Sequence, residues 1–416
     1  MRFNRFYSLT VGLALIAACS TSSTSGVTPE PPGAQASSTA ATTSSAATSG
    51  GGGADAGDCT LYINTDVDAA NCGACGVACA TTCFFGKCQP VLPSPVALAE
   101  NIEVAFQLAL DTTTVYAGMN INDVSPTLPA CGGKALVLAF DRSTHAASGF
   151  VPCLSPWYAP LSLLAMTVAS GGVVWSIDND MYLTALPGGD AVGLNDQSTS
   201  RQIAADSSYV FYGHDFDSPT LRRVNVDGTM ATDLATAPHV VSDVAIDGQT
   251  IYYATQFIPG ECCEHEIDIY SVPKTGGSAT LLASGLKDTL GLSVGAGYVY
   301  WIDLVPEGND DLARRVVRRV PVTGGQPELV VNEDQNPNFI ALNGAYLYWL
   351  GLDVDPDLNG STYTIWKQPL AGGESVELTA GTGRVSAFAV DDTSIVWARN
   401  DHENGPSSAS IWMLAK

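Results

Sequence analysis

Trp301, Trp349 and Trp397 stand 48 residues apart, each inside a short apolar run: "YVYWI", "YLYWL" and "SIVWA". Upstream, Tyr253, Tyr212, Trp175 and Tyr116 occupy comparable runs at looser spacing. A period of 40–50 residues means stacked copies of one supersecondary unit, because no single copy can bury its own apolar faces. Seven such positions predict seven units. The clearest copies are "GAGYVYWIDLVPEGNDDLARRVVRRVPVTGGQPELVV" and "NGAYLYWLGLDVDPDLNGSTYTIWKQPLAGGESVELT".

Each unit reads as four strands. The runs are short, rich in β-branched and aromatic residues, and bounded by Gly, Asp and Asn turns. A second strand such as Tyr298-Val299-Tyr300-Trp301-Ile302 is apolar at every position. Side chains alternate faces along a strand, so both faces of this one must be covered. Four-stranded sheets stacked face to face around an axis provide that cover, which predicts an all-β, seven-bladed β-propeller over residues 91–416. The aromatic strand followed by a Gly-Gly turn resembles bacterial YWTD-type propellers. That resemblance implies six blades as the alternative count.

The last unit lacks a fourth strand. The chain ends with a second strand over 394–399 and a third over 410–415. An orphan apolar run, "PVALA" at 95–99, precedes the first unit and aligns with the fourth strands of other units. It is predicted to pair with 410–415, bury Val96 and Leu98, and close the ring. An open ring would leave a long exposed strand edge.

The segment before the propeller has three parts. Residues 1–18 carry Arg2, Arg5 and an apolar run too short to span a membrane as a stable helix. The run ends "IAACS", and this resembles a bacterial outer-membrane lipoprotein signal, of the myxobacterial type. The resemblance implies cleavage before Cys19, acylation of Cys19 and a lipid anchor in the outer membrane. Ordinary secretion with a chance cysteine is the alternative. Residues 19–57 are Ser, Thr, Ala, Gly and Pro with scarcely a large apolar side chain. They form a flexible tether with a root-mean-square span of about 35 Å. Residues 58–90 hold Cys59, Cys72, Cys75, Cys79, Cys83 and Cys88. In an exported chain this density predicts a disulfide framework, with the pairing open among fifteen possibilities. Zinc at Cys72-x-x-Cys75 is the alternative. The stretch "NCGACGVACATTCFFGKC" resembles the stigma-specific-protein-like cysteine-rich module, which implies a stapled spacer or contact module.

Acids outnumber bases 42 to 18. Loss of residues 1–18 removes two arginines and no acid, leaving a formal charge of −26. This balance argues against nucleic acid and anionic lipid surfaces as partners of the propeller.

In a four-stranded meander the 1–2 and 3–4 turns lie at one end. The 2–3 loops and inter-unit connections lie at the other. The first set is tight here. The second is predicted to be long and acidic, and a rigid scaffold concentrates function on such loops. Asp178, Asp215, Asp217, Glu264, His265, Asp303, Asp310, Asp401 and His402 are therefore candidates for a binding face, with ordinary solvated loops as the alternative. His214 belongs to the same set. "DVDPDLNGST" offers Asp353, Asp355, Asp357 and Asn359 at alternate positions, as calcium loops do. Gly360 falls late and Thr364 stands where a bidentate Glu is expected, so a hydrated turn is the alternative to Ca²⁺.

"ECCEHE" reads either as a vicinal Cys262–Cys263 disulfide beside a Cys131–Cys153 bridge, or as a thiolate–histidine metal site. Gly291-Leu292-Ser293-Val294-Gly295 matches G-x-S-x-G but falls within a strand, where a nucleophile elbow cannot form. The cluster Arg314, Arg315, Arg318 and Arg319 is expected to pair with nearby acids. Two functions stay open: a binding scaffold for an envelope protein, polysaccharide or small ligand, or an exported cation-dependent hydrolase or lyase. No catalytic residue stands out, and fold alone chooses neither.

Overall fold

A computed structural model describes residues 83–84, 87–88, 94–102, 104–119, 135–152, 163–177, 179–214, 218–256, 267–305, 314–355, 360–400 and 409–416. The chain divides into Met1–Val91 and Leu92–Lys416. In the first unit, the described residues form a two-stranded antiparallel ladder that sets Cys83 opposite Cys88. The other cysteines of that module, and Cys19, lie outside the described residues, as do Cys131, Cys153, Cys262 and Cys263.

The second unit is a ring of seven four-stranded antiparallel sheets. Blades 1 to 6 span 105–152, 163–197, 204–236, 240–286, 290–331 and 337–382 in simple meander order. Blade 7 takes three strands from 384–415, and its fourth is Val96–Ile102. First strands contact one another in sequence from blade 1 to blade 7 and back to blade 1, so they surround the axis.

The periodic aromatics explain the stack. Trp175, Tyr212, Tyr253, Trp301, Trp349 and Trp397 are fully buried, and Tyr116 nearly so. Each lies on a second strand and fills the gap between sheets. Trp175 stacks on Tyr182 of the adjacent strand at 4.6 Å, and Tyr253 on Tyr270 at 5.4 Å. The alternate positions are equally buried, as Tyr300 and Ile302 show. Both faces of each sheet thus contribute, at roughly 1.5–3 kcal/mol per large side chain removed from water.

The Gly-Gly turns do more than reverse the chain. Gly276 and Gly277 lie between the third and fourth strands of blade 4 with φ of 82° and 132°. The Gly277 N–H donates to the Leu234 carbonyl of blade 3 at 3.0 Å. A Cβ on Gly276 would come within 2.9 Å of that same oxygen. The Gly189 N–H makes the matching bond from blade 2 to Phe150 O of blade 1 at 3.0 Å. The turn therefore clips each of these blades to its predecessor, which only a residue without a side chain permits.

A second clip uses aspartate. One carboxylate oxygen of Asp206 caps its own turn at the Ser208 and Tyr209 N–H groups. The other accepts from Lys274 Nζ of the next blade at 2.8 Å. Asp391 of blade 7 repeats the device: Oδ1 accepts from the Thr393 and Ser394 N–H groups, while Oδ2 pairs with Arg142 of blade 1. That pair spans the seam where the ring closes.

The predicted closure holds, with one correction. The 96–102 strand pairs antiparallel with Ala409–Ala415. Leu98 is buried against Ala105, Leu108 and Ile411, but Val96 is 47% exposed. An outermost strand has no further sheet on its edge, and Val96 sits at its free start. The 2–3 connections also differ from expectation in two blades. Blade 2 needs only 178–179, and blade 6 only 356–359, because its second and third strands are long and ladder down to Asp355 opposite Gly360.

Candidate functional site

Among the described residues, blade 3 departs from the repeat in its first strand. Blade 3's first strand keeps only Ala204–Ala205. The preceding segment, 198–203, stays bonded to its own second strand, with the Thr199 N–H donating to Gly213 O at 2.8 Å, and also runs along the first strand of blade 4, where Gln202 forms an isolated parallel bridge with Asp243. The Arg201 N–H donates to Ser242 O at 2.7 Å, and the hydroxyls of Thr199 and Ser200 both donate to Val241 O. From this position two side chains pass beyond blade 4 to blade 5. Gln202 Nε2 donates to Leu292 O at 2.8 Å, and Arg201 Nη2 to Thr289 O at 2.9 Å. The segment thus ties together the first strands of blades 3, 4 and 5 at the end that carries the 2–3 loops.

The blade 4 strand accepts this visitor because it is bulged between Val241 and Asp243. A bulge unpairs one residue and re-aims its neighbours. The first strands of blades 1, 2, 5, 6 and 7 are irregular at the same end. The device is general, and at blade 4 the described residues show a neighbouring chain segment bonded to it. Asp243, almost fully buried, meets Arg201 Nη2 at 2.9 Å, while the Arg201 side chain stays 42% exposed. The nearby Asp243 charge raises the Arg201 pKa against the opposing effect of burial.

Beside this pair lie two more opposite charges that do not touch. Asp288, in the connection into blade 5, is half-buried, and its Oδ1 accepts the Thr289 N–H at 2.8 Å. Burial pushes its pKa up, and the attraction of Arg201 and Arg315 does not cancel that. Arg315 is the second residue of the third strand of blade 5 and is held by Asn338 Oδ1 of blade 6. Burial lowers the Arg315 pKa, with Asp288 opposing. Among the described residues no carboxylate comes within 4.0 Å of the Arg315 guanidinium. The Thr289 hydroxyl is buried without a hydrogen-bond partner.

A second polar node ties blade 2 to blade 3. Asp196, 4% exposed at its side chain, accepts from Tyr212 Oη at 2.7 Å and meets His214 Nε2 and Arg222 Nη1, each at 3.1 Å. Burial first, then the Asp196 bond, pushes the Tyr212 pKa far up, so Tyr212 stays a donor.

Of the residues chosen from sequence, the described ones are dispersed. Asp303 is not a free loop carboxylate. It is buried in the second strand of blade 5, beside Arg318 Nε at 3.0 Å, and accepts the Lys287, Asp288 and Leu304 N–H groups at 3.0–3.2 Å. It organises the connection that carries Asp288. Asp353 is exposed, and Asp353 and Asp355 stand in a regular ladder opposite Thr362 and Gly360. That backbone is extended, unlike the tight loop of an EF-hand. Asp178, Asp215, Asp217, Glu264, His265, Asp310, Asp357, Asn359, Asp401 and His402 lie outside the described residues. Among those described, no three His, Cys, Asp or Glu side chains group to hold a metal. Ser293 lies in the first strand of blade 5, as its sequence context requires. Arg318 and Arg319 pair with Asp303 and Glu328, and Arg315 meets no carboxylate among the described residues. Sequence reasoning passed over Arg201, Asp243, Asp288 and Asn338. Their one signal is "STSRQ", polar where a first strand should be apolar.

The fold and its mouth define a β-propeller. No known protein family matches the chain, and no curated protein resembles it in sequence. Solved structures do share the fold. The WD40 domain of Pan2 from Neurospora crassa is 13% identical over 78% of this chain and 94% of that one, with a TM-score of 0.49. The nidogen/laminin complex matches at 15% identity over 59% and 89%, TM-score 0.40. The tricorn protease matches at 11% identity and TM-score 0.44 over 74% of this chain, which spans only 34% of that protein.

Proposed function

We propose that the chain is a lipid-anchored binding scaffold of the cell envelope, which meets its partner with the loop end of the propeller. An envelope protein, a polysaccharide or a small ligand would fit that role. The contrast between the two ends carries the reading. At the turn end, carboxylates are spent on the fold: Asp111, Asp141, Asp206, Asp227 and Asp391 all cap their own turns. At the other end lie the acidic 2–3 loops of the sequence and the broken repeat, with half-exposed Arg201. Rigid scaffolds present function on loops of this kind.

Capture from a cell-envelope extract tests the reading, using full-length protein with and without EDTA. Neutralising Asp310, Asp311, Asp401 and Glu403 together should abolish capture, and loss on chelation would point to a bound cation such as Ca²⁺. Capture that survives those changes but is lost on substituting turn-end residues refutes the assignment. The anchor is tested separately. Cys19→Ser should move the protein from the detergent phase to the aqueous phase on cloud-point separation.

A further inference from the structure

At the turn end, a base from the next blade fills the notch between neighbours at three junctions. Lys274 meets Asp206 between blades 3 and 4, Lys416 meets Asn343 between blades 6 and 7, and Arg142 meets Asp391 between blades 7 and 1. The strand registers put Gly295 of blade 5 where blade 3 has Asp206, and Leu370 of blade 6 where blade 4 has Lys274. Neither can make that clip. The glycine clip is missing here too. Among the described residues no backbone bond joins the Gly372-Gly373 turn to blade 5, and a Cβ on Gly372 would meet nothing within 4 Å. Between blades 5 and 6 a cleft of about 640 Å³ stays open, with Ala296, Tyr298, Arg319, Ala345, Tyr346 and Leu370 among its walls. Small-molecule sites run from about 300 to 1,000 Å³.

The walls combine an aromatic surface with a guanidinium whose charge is already balanced. Tyr346 is 39% exposed, and Lys367 Nζ stands over its ring at 5.3 Å without covering it. The matching Tyr298 of blade 5 carries the Arg319 guanidinium over its ring at 4.1 Å. Arg319 Nε donates to Glu328 at 2.9 Å, and Nη1 reaches Leu370 O at 3.5 Å. An ammonium entering the cleft would meet Arg319 with no carboxylate at position 295 to receive it. A carboxylate would compete with Glu328 for the guanidinium. A wholly apolar molecule would strip water from Arg319 and return no hydrogen bond.

We propose that this cleft binds one unit of a neutral saccharide of the glucose type. Such a pyranose carries C–H bonds on its two faces and hydroxyls around its edge. One face lies on Tyr346 as apolar surface. The edge hydroxyls accept from Arg319 and donate to the Leu370 carbonyl, which has a second lone pair to offer. An axial hydroxyl, as in galactose, would set a polar group against the ring. The cleft lies at the opposite end of the ring from the proposed partner face and does not depend on it.

The test is saturation-transfer NMR and isothermal titration of full-length protein with methyl β-glucoside and cellobiose, against methyl β-galactoside and glycerol. Both glucosides should bind in the millimolar range, the galactoside more weakly, and glycerol not at all. Tyr346→Ala should weaken binding by about tenfold or more, as expected for loss of the aromatic surface. Tyr346→Phe keeps the ring and should keep binding. Gly295→Asp with Leu370→Lys should rebuild the clip of blades 3 and 4, fill the cleft and abolish binding. Asp310→Asn with Asp401→Asn, at the loop end, should change nothing. Each variant is first checked for a wild-type melting curve; should the clip variant unfold, Leu370→Lys alone carries that arm. No binding of either glucoside in the millimolar range overturns the proposal. So does equal binding of glycerol or the galactoside, or binding that survives both Tyr346→Ala and the filled cleft. Envelope capture that persists in those cases leaves the scaffold reading standing and removes only this cleft. Loss of that capture on Tyr346→Ala would instead refute the loop-end face and leave the cleft in place.

Discussion

Leu98 is the place to test whether the ring is closed by its own N-terminal strand. The side chain is 5% exposed and packs with Ala105, Leu108, Ala387 and Ile411, which come from blades 1 and 7. Cutting it to Ala removes three carbons and leaves a cavity between the two blades. Buried Leu→Ala changes cost about 2–5 kcal/mol, the spread reflecting how far the site collapses. The 96–102 strand is outermost and can shift toward Ile411, so about 2–3 kcal/mol is expected. Val96 is the internal control. It lies two residues away in the same strand but is 47% exposed, and Val96→Ala should fall within about 0.5 kcal/mol of wild type. Urea denaturation followed by tryptophan fluorescence gives both values, because Trp397 and Trp412 sit in the closing blade. The midpoint should drop without a change in slope. A double-mutant cycle with Ile411→Val should show coupling of about 0.5 kcal/mol or more, since the two side chains share one cluster. Equal effects of the Leu98 and Val96 changes, or no coupling to Ile411, would mean that the strand does not hold the seam.

Three further outcomes follow from the contacts. Burial alone would raise the Asp391 pKa, but Arg142 and the Thr393 and Ser394 N–H groups outweigh it and hold the carboxyl at about 2. Its folded pKa is depressed, so its stabilisation is complete above the unfolded value and is lost as pH falls from about 4 through 2. After discounting for partial exposure it contributes about 1 kcal/mol, and Asp391→Asn should flatten that part of the stability–pH curve. The Trp175 indole donates to Thr184 Oγ1 at 3.2 Å, whereas the Trp301 indole N–H is buried without a partner, with Val320 at the position matching Thr184. Thr184→Val should cost about 1 kcal/mol and Val320→Thr should recover part of such a bond, both read from urea midpoints. Gly276→Ala should destabilise by about 1–3 kcal/mol, more than Gly372→Ala, since both have positive φ but only Gly276 faces a neighbouring blade at 2.9 Å.

Much of the fold was legible because it repeats. A strand apolar on both faces can only lie between two sheets, so the aromatic period led to the stack of blades. The spacing of Trp301, Trp349 and Trp397 led to their number. The orphan "PVALA" run led to the closure, because an unpaired edge must find a strand. Asp303 shows where this kind of reading stops. From sequence it is one acid among many in a loop, and only the register of its strand turns it inward to Arg318 and three backbone donors. Val96 and Leu98 look equivalent as letters, and a regular pleat would put both on one face, yet the register shift between Ala97 and Ala99 and the edge position expose one and bury the other.

The mouth itself could not be read in advance. Arg201 and Asp243 are 42 positions apart, and Arg201 and Thr289 are 88 apart. Their meeting depends on a segment of blade 3 that also bonds to the first strand of blade 4, which no local propensity encodes. The sequence by itself determined the repeat, the blade as the unit and the closing strand, because periodicity and hydropathy are local and additive. Only the tertiary structure decided which charges are paired and where the repeat gives way, at the shortened first strand of blade 3. Those outcomes depend on distances across the ring, and on the cost of withdrawing each charge from water.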